Sequence, residues 1–321
     1  MKLRWSLLGL LLLAVTAQAA EQMTAADAAG LMRKMNFAAR MLNYSGVYLY
    51  QEAQTMETLR LVHLFDASGE QERRESLDGM PREYIRNSEM VVMNVPNKHS
   101  TFFDRQKANK WFPGIAPDQI ADVLANYNFV RLDNERVAGY ECQAVWLEPK
   151  DGLRHPHKLC IEPGHGLMLK SVRYSPERGE PIEQAAFTQL EFTVADKKLL
   201  KPVYGVRGPV DAAKREVAGP NIEVGLEARR LPQGFRLIKE ARSRLLGGAV
   251  PAAHYLYSDG LAEVSVFIEP ASNAAVTVPI DLKKRGNISF FARQTGTWRV
   301  TAIGPVPLQT VKLFTQAFEE R

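Results

Sequence analysis

Short strand-like segments follow one another through the first two thirds of the sequence, and this succession constrains the fold more than any other feature. The segments are rich in β-branched and aromatic residues, and turn sequences such as EPGHG and SPERGEP separate them. Because helices do not alternate with these strands, we predict an antiparallel sheet with a few helices on one face, an α+β fold. The predicted strands are 45–51, 57–66, 82–87, 90–95 and 99–105, then NFVRLD, GYECQAVWLEP, HKLCIEP, GLMLKSVRY and IEQAAFTQLEF.

Two segments carry helical spacing instead. Residues 24–44 have apolar residues three or four positions apart, which predicts a helix with one core-facing stripe. The stripe consists of Leu31, Met35, Ala38, Ala39 and Leu42. Residues 117–127 begin with Pro and Asp, which are typical of a helix start, and predict a second helix.

The composition changes between residues 196 and 221, where Pro and Gly interleave with charged residues as in a linker. Residues 222–321 then form a second predicted α+β unit of strands closed by the helix PLQTVKLFTQAFEE. We therefore predict a larger N-terminal domain over residues 20–195, a linker over 196–221 and a smaller C-terminal domain over 222–321.

The N-terminus predicts export. Lys2 and Arg4 precede an uncharged apolar run, and the small-x-small pattern AQA follows it, as in a secretory signal peptide. The apolar run is shorter than the ~20 residues that span a bilayer, which disfavours a membrane anchor. We expect residues 1–19 to be removed, with cleavage near Ala19/Ala20, and the mature chain to reside in a bacterial periplasm.

The sequence contains two cysteines, Cys142 and Cys160, on neighbouring predicted strands. An oxidising compartment favours a disulfide between them. A hairpin centred on Asp151, the midpoint, would place them opposite one another. The alternative is a metal site completed by His155, His157 and His165. Their spacing fits tetrahedral sites poorly, so we expect the disulfide and no metal.

The mature sequence lacks the common catalytic signatures HExxH, GxSxG, SxxK, Walker A and GxGxxG, which favours a binding protein over an enzyme. No cofactor is expected. Six aromatic residues lie near strands or turns of the first domain, where most would be core but some could line an apolar cavity that binds acyl chains. These lipid-binding candidates are Tyr48, Tyr50, Phe102, Phe103, Trp111 and Phe112.

Positive charge is concentrated in the second domain, where residues 222–321 hold 13 Lys and Arg against 9 Asp and Glu. Six basic residues face only Glu240 within one short stretch, which predicts either a solvated edge strand or a surface for an acidic peptide. This basic strip consists of Arg229, Arg230, Arg236, Lys239, Arg242 and Arg244. In an exported protein it does not indicate nucleic-acid binding.

Several longer stretches together resemble the RseB/MucB family of periplasmic negative regulators of a sigma-E-type (AlgU-like) envelope stress response. The most specific are LNYSGVYLYQ, HLFDASGEQERRESLDG, FVRLDNERVAGYECQAVWLEPKDGLRHPHKLCIE, LPQGFRL and YSDGLAEVSVFIE. The resemblance covers essentially the whole mature chain and is strongest to the branch that restrains alginate production. It implies an N-terminal domain like LolA and LolB, an incomplete antiparallel barrel around helices, and a smaller C-terminal α+β domain.

The resemblance also implies a function. The protein would bind the periplasmic domain of a transmembrane anti-sigma factor (MucA/RseA-like) and protect it from regulated proteolysis, which keeps the sigma factor inactive. Lipopolysaccharide or lipoprotein acyl chains would release it. Whether the protein forms a homodimer is left open. The alternative function is a periplasmic lipid or lipoprotein carrier.

Overall fold

The computed structural model describes residues 21–88, 90–103, 111–115, 117–193, 196–205, 224–243, 251–271 and 287–321. The predicted signal peptide and Arg244, the last residue of the basic strip, lie outside this part of the chain. Within it, no helix has both the length and the apolar composition needed to cross a bilayer.

Over the described residues, the strands of the N-terminal domain form one antiparallel sheet of twelve strands, which confirms the predicted α+β class. The order is β1-β8-β9-β10-β11-β12-β2-β3-β4-β5-β6-β7, so β1 and β7 are edges and the sheet forms an incomplete barrel. The strands are β1 (Glu21–Gln22), β2 (Tyr44–Glu52), β3 (Thr55–Asp66), β4 (Gly69–Ser76), β5 (Glu83–Arg86), β6 (Val91–Asn94), β7 (Thr101–Phe102), β8 (Tyr127–Val137), β9 (Tyr140–Pro149), β10 (His157–Ile161), β11 (Met168–Tyr174) and β12 (Pro181–Glu191).

In the described part of the N-terminal domain, two helices pack against this sheet. Helix α1 (Ala25–Met41) begins after Thr24, whose hydroxyl accepts a hydrogen bond from the Asp27 amide at 3.1 Å and caps the helix. A 3₁₀ turn (Pro117–Gln119) leads into α2 (Ile120–Asn126). All five residues of the predicted α1 stripe face the core: Met35, Ala38 and Ala39 are fully buried, and Leu31 and Leu42 are partly buried against it. Ala28 and Met32, which were not predicted, complete the fully buried face. The core lies between these helices and the sheet.

Cys142 and Cys160 form a disulfide with their Cα atoms 5.4 Å apart. The predicted register was wrong by two residues, because Cys160 pairs with Ala144 rather than Cys142 and the hairpin is centred on Gly152 rather than Asp151. The two cysteines are therefore diagonal rather than directly opposite. Both still point to the same face, since residues two apart on a strand share a face, and both are buried in the core.

The C-terminal domain is a five-stranded antiparallel sheet in the order β14-β15-β16-β18-β17. Its strands are β14 (Arg236–Ser243), β15 (Ala252–Ser258), β16 (Glu263–Pro270), β17 (Ser289–Thr295) and β18 (Trp298–Gly304). Helix α3 (Leu308–Gln316) packs on it, and β13 (Leu226–Ala228) pairs with β19 (Phe318–Glu320). Val311, Phe314 and Phe318, all from the predicted helical segment PLQTVKLFTQAFEE, are buried in this core.

The first part of the predicted linker packs on the N-terminal domain instead of leaving it. Leu200 is buried against Val62 and Leu64. The Glu83 carboxylate accepts hydrogen bonds from the backbone amides of Val203 and Tyr204 at 2.9 and 3.0 Å. Apolar burial and two satisfied amides hold residues 196–205 in place; residues 206–221 lie outside the described residues.

Candidate binding cavity and domain interface

A cavity of about 440 Å³ lies on the inner face of the large sheet. This volume is within the ~300–1,000 Å³ of most small-ligand sites. Its walls come from β2 to β5, from β10 to β12, from Phe103 and residues 111–115, and from Leu261 of the C-terminal domain. The two domains therefore build the cavity together.

Aromatic rings form one side of the cavity. Trp111 packs edge-to-face on Tyr84 and Phe103, with ring centroids 5.2 and 5.6 Å away. Tyr48 lies 5.2 Å from Phe112. Such tilted pairs add to the stability that apolar burial supplies.

Five of the six lipid-binding candidates line the cavity: Tyr48, Tyr50, Phe103, Trp111 and Phe112. Phe102 does not line it; this residue pairs with Val92 of β6. The backbone amide of the next residue, Phe103, donates a hydrogen bond to the Val91 carbonyl, so the strand pairing continues there. Adjacent residues on a strand point to opposite faces, so Phe103 faces the cavity and Phe102 faces away from it. Sequence patterning could not choose between these two phenylalanines without the register.

A buried ionic group lies behind the aromatic side, and sequence analysis did not find it. Arg74 donates hydrogen bonds to both carboxylate oxygens of Glu72, at 2.7 and 3.1 Å. Its guanidinium carbon also lies 5.4 Å from the Trp111 ring centroid. Burial alone would raise the pKa of Glu72, but Arg74 and Arg86 lower it to about 2. The cavity wall here is a fixed ion pair rather than a free charge.

Polar side chains form the opposite side of the cavity. Strand register places His157, Arg173 and Glu183 side by side on β10, β11 and β12. Arg173 forms an ion pair with Glu183 and donates to the backbone carbonyl of Pro305 in the C-terminal domain at 3.3 Å. Burial raises the pKa of Glu183, and burial together with Arg173 lowers the pKa of His157 well below its usual value. His157 is therefore neutral at pH 7.

The domains meet next to this polar side. Asp259 accepts a hydrogen bond from the Tyr127 hydroxyl at 3.2 Å and lies 2.9 Å from Nε of Arg154. Asn126 donates to the backbone carbonyls of Gly234 and Asp259 at 3.0 and 3.1 Å. A turn of the small domain is thus inserted against α2 and the hairpin after β9.

Close approach at this interface requires glycine. Gly260 has a φ of +105°, and a Cβ there would lie 2.6 Å from a methyl carbon of Val123 on α2. A Cβ on Gly234 would overlap Asn126 and Arg154. The stretches LPQGFRL and YSDGLAE, singled out in the sequence, therefore lie at the domain interface, a role that no local pattern indicated.

The basic strip is less continuous than the sequence suggested. Arg236 pairs with Asp122 of the N-terminal domain at 2.6 Å, so it belongs to the domain interface. Arg229 lies 2.6 Å from Glu227 and 3.6 Å from Glu319. Lys239 and Arg242 lie on β14, which is an edge strand of its sheet, and Arg230 is exposed just before it. Asp122 thus neutralises Arg236, and Glu227 and Glu319 neutralise Arg229, so two of the predicted binding residues already have acidic partners.

Cys142 and Cys160 are bonded to each other, so neither can serve as a thiolate ligand in the alternative metal site. Among the described residues, no group of three or more His, Cys, Asp and Glu side chains could hold a metal ion. His165 instead lies 2.8 Å from Glu162 and stacks on Phe192.

Comparison with protein families gives two matches. The MucB/RseB N-terminal domain matches residues 27–204, and the MucB/RseB C-terminal domain matches residues 221–319. The sigma-E factor regulatory protein RseB of Haemophilus influenzae is 25% identical over 99% of this chain and 98% of that protein. The sigma factor AlgU regulatory protein MucB of Pseudomonas aeruginosa is 29% identical over 94% of each. These relatives are regulatory proteins, which confirms the prediction of a non-enzyme.

Solved structures share the fold over nearly the whole chain. A crystal structure of MucB in complex with MucA(peri) has a TM-score of 0.72 at 24% identity and covers 92% of this chain and 99% of that one. A crystal structure of MucB alone has a TM-score of 0.61 at the same identity, with 92% and 98% covered. The arrangement of an incomplete barrel and a small α+β domain is therefore found in solved proteins.

Proposed function

The chain belongs to the MucB/RseB family, and we propose that it is a periplasmic regulatory protein that binds the periplasmic domain of a transmembrane anti-sigma factor. The observation that carries this proposal is the match of both halves of the chain to the two domains of the family. The related structure of MucB in complex with MucA(peri) supports it, since it has the same fold.

Binding would keep the sigma factor inactive by protecting the anti-sigma factor. A protease must accommodate an extended, accessible segment, and a segment held on a folded protein is not accessible. The anti-sigma factor would then survive and continue to hold the sigma factor of the envelope stress and alginate response. The basic strip is our proposed contact for acidic parts of the partner.

A direct binding experiment tests this function. Titration of the anti-sigma factor's periplasmic domain, taken from the same genome, should give saturable binding measured by calorimetry. The site-1 protease should cleave that domain more slowly in the presence of the protein, and an equal concentration of albumin should not slow it. No binding at micromolar concentrations would refute the proposal.

Release by lipids is the second part of the proposal. The cavity, with its aromatic side and volume of about 440 Å³, supports binding of acyl chains such as those of lipopolysaccharide or lipoproteins. By linkage, a lipid that favours the form unable to hold the partner must weaken the complex by the same factor. Adding lipopolysaccharide should therefore raise the apparent Kd for the anti-sigma factor and restore its cleavage.

The cavity also favours an alternative, a periplasmic lipid or lipoprotein carrier. A carrier would bind lipid and pass it to an acceptor without binding an anti-sigma factor. Capture of the exported protein from envelope extract, followed by identification of its partner, separates the two functions. Export itself is tested by sequencing the N-terminus of the periplasmic form, which should begin at or near Ala20.

A further inference from the structure

The polar side of the cavity has hydrogen-bonding capacity that the fold does not use. Arg173 is only 8% exposed, and its guanidinium is already bound to Glu183 and to the Pro305 carbonyl. Among the described residues, the His157 ring and the Ser171 hydroxyl of the same cavity wall make no hydrogen bond. A ligand that supplied hydrogen bonds to these two groups would gain affinity here.

The charges around these groups decide which ligand fits. Arg173 is already paired with Glu183, and Glu52 lies close enough to act electrostatically on Glu183. This end of the cavity therefore has no excess positive charge for an anionic head group. Glu183 is bound by both Arg173 and the Asn287 amide, so it offers no free carboxylate to an ammonium head group.

The unused groups include both donors and acceptors. A neutral imidazole and a serine hydroxyl can each donate and accept. A ligand hydroxyl does both as well, so a head group with several hydroxyls matches this set better than one with acceptors or donors alone. Since Leu159, Met168 and Ala185 lie on the same wall, an apolar chain can continue from here towards the aromatic side.

We propose that His157, Ser171 and Arg173 form a subsite for the uncharged, hydroxyl-rich head group of an amphiphile whose chain occupies the aromatic side of the cavity. This inference rests on the proposed lipid binding. The C-terminal domain completes the subsite, because Leu261 lines the cavity and Pro305 holds Arg173. Both domains would therefore contact the bound molecule.

Three detergents with the same twelve-carbon chain and different head groups test the proposal. Dodecyl maltoside, dodecyl phosphocholine and dodecyl sulfate would be titrated against the whole protein below their micelle concentrations, with calorimetry as the measurement. We expect dodecyl maltoside to bind at least threefold more tightly than the other two. His157→Phe and Ser171→Ala should each remove most of that preference while changing the affinity for dodecyl sulfate less than twofold.

His99→Phe serves as the matched control, because His99 is exposed and does not line the cavity. It should leave all three affinities unchanged. If none of the detergents binds the wild-type protein, the proposed lipid binding and this subsite both fail. If they bind without preference for the maltoside, or if both variants retain the preference, the subsite is refuted and lipid binding stands. The wild-type comparison needs no variant, so it holds even if a substitution impairs folding.

Discussion

Arg154 of the N-terminal domain and Asp259 of the C-terminal domain form an ion pair with both side chains buried, 1% and 0% exposed, and with Nε and Oδ2 2.9 Å apart. Arg154 also donates to the backbone carbonyl of Gln233 at 2.7 Å. Charges this deep are stable only while both partners are present. The pair therefore makes the two domains depend on one another for stability.

Replacing one partner tests this dependence. We expect Asp259→Asn to destabilise the docked protein by about 1–3 kcal/mol, because the buried Arg154 would lose one of its two acidic partners and keep only Asp151. In calorimetry, a single unfolding transition should move to lower temperature or separate into two. Asp133→Asn, at an exposed position, is the control and should change the free energy of unfolding little. An unchanged transition in Asp259→Asn would show that the pair does not hold the domains together.

Acid should weaken the N-terminal domain through Glu72. Its pKa is about 2 against a usual value of 4.5, so the charged form stabilises the folded state by roughly 3 kcal/mol. Because the folded pKa is the lower one, this contribution is complete above about pH 4.5 and is lost as the pH falls towards 2. The stability gap between wild type and Glu72→Gln, measured by urea unfolding, should narrow over this range. Glu141→Gln, at an exposed position, should parallel wild type throughout.

The disulfide should account for a sizeable part of the stability. Replacing Cys142 and Cys160 together with alanine should lower the free energy of unfolding by about 2–4 kcal/mol, because the bond restricts the unfolded chain. Denatured, unreduced protein from the periplasm should contain no thiol that reacts with a maleimide. Two reactive thiols in that sample would contradict the bond.

Adjacent phenylalanines provide a matched pair for lipid binding. Phe103 lines the cavity and Phe102 does not. We expect Phe103→Ala to weaken binding of a fluorescent fatty acid at least fivefold, since it removes apolar contact area. Phe102→Ala should leave the affinity within twofold of wild type. Equal losses would mean that the chain binds elsewhere or that both substitutions act through folding.

The partner contact of the basic strip should depend on salt. We expect Arg230→Glu with Arg242→Glu to weaken binding of the anti-sigma factor's periplasmic domain, and the loss should shrink as salt rises, since exposed charges are screened. Single changes should have little effect, because an exposed ion pair contributes about 0–1 kcal/mol. Arg178→Glu, on an exposed turn of the other domain, is the charge-matched control. Equal affinity at low salt for double variant and wild type would make the strip an ordinary solvated edge.

The sequence predicted the elements well because their signals are local. Apolar spacing in residues 24–44 predicted helix α1, and turn residues separated most strands of the large sheet in nearly the observed places. Strand β4 was not predicted, because its sequence GEQERRES has no β-branched or aromatic residue. The disulfide between Cys142 and Cys160 was predicted from the oxidising compartment and from the presence of exactly two cysteines, even though the predicted strand register was off by two residues.

What the sequence did not predict depends on residues far apart in the chain. Arg154 and Asp259, or Arg236 and Asp122, become neighbours only when the two domains dock, and no local pattern indicates such a pair. The same holds for Phe102 and Phe103, whose directions follow from strand register. The buried Arg74–Glu72 pair resembles any alternation of charges on a strand until burial is known.

Leu261 reaches the cavity of the large sheet from a turn of the small domain. A fragment ending at residue 205 would therefore lack the part of the cavity wall that Leu261 forms. Compound libraries screened against that fragment would meet an incomplete cavity. Compounds selected on that fragment could occupy the volume that Leu261 fills in the complete chain. Inhibitor discovery against this fold should accordingly use the full-length protein.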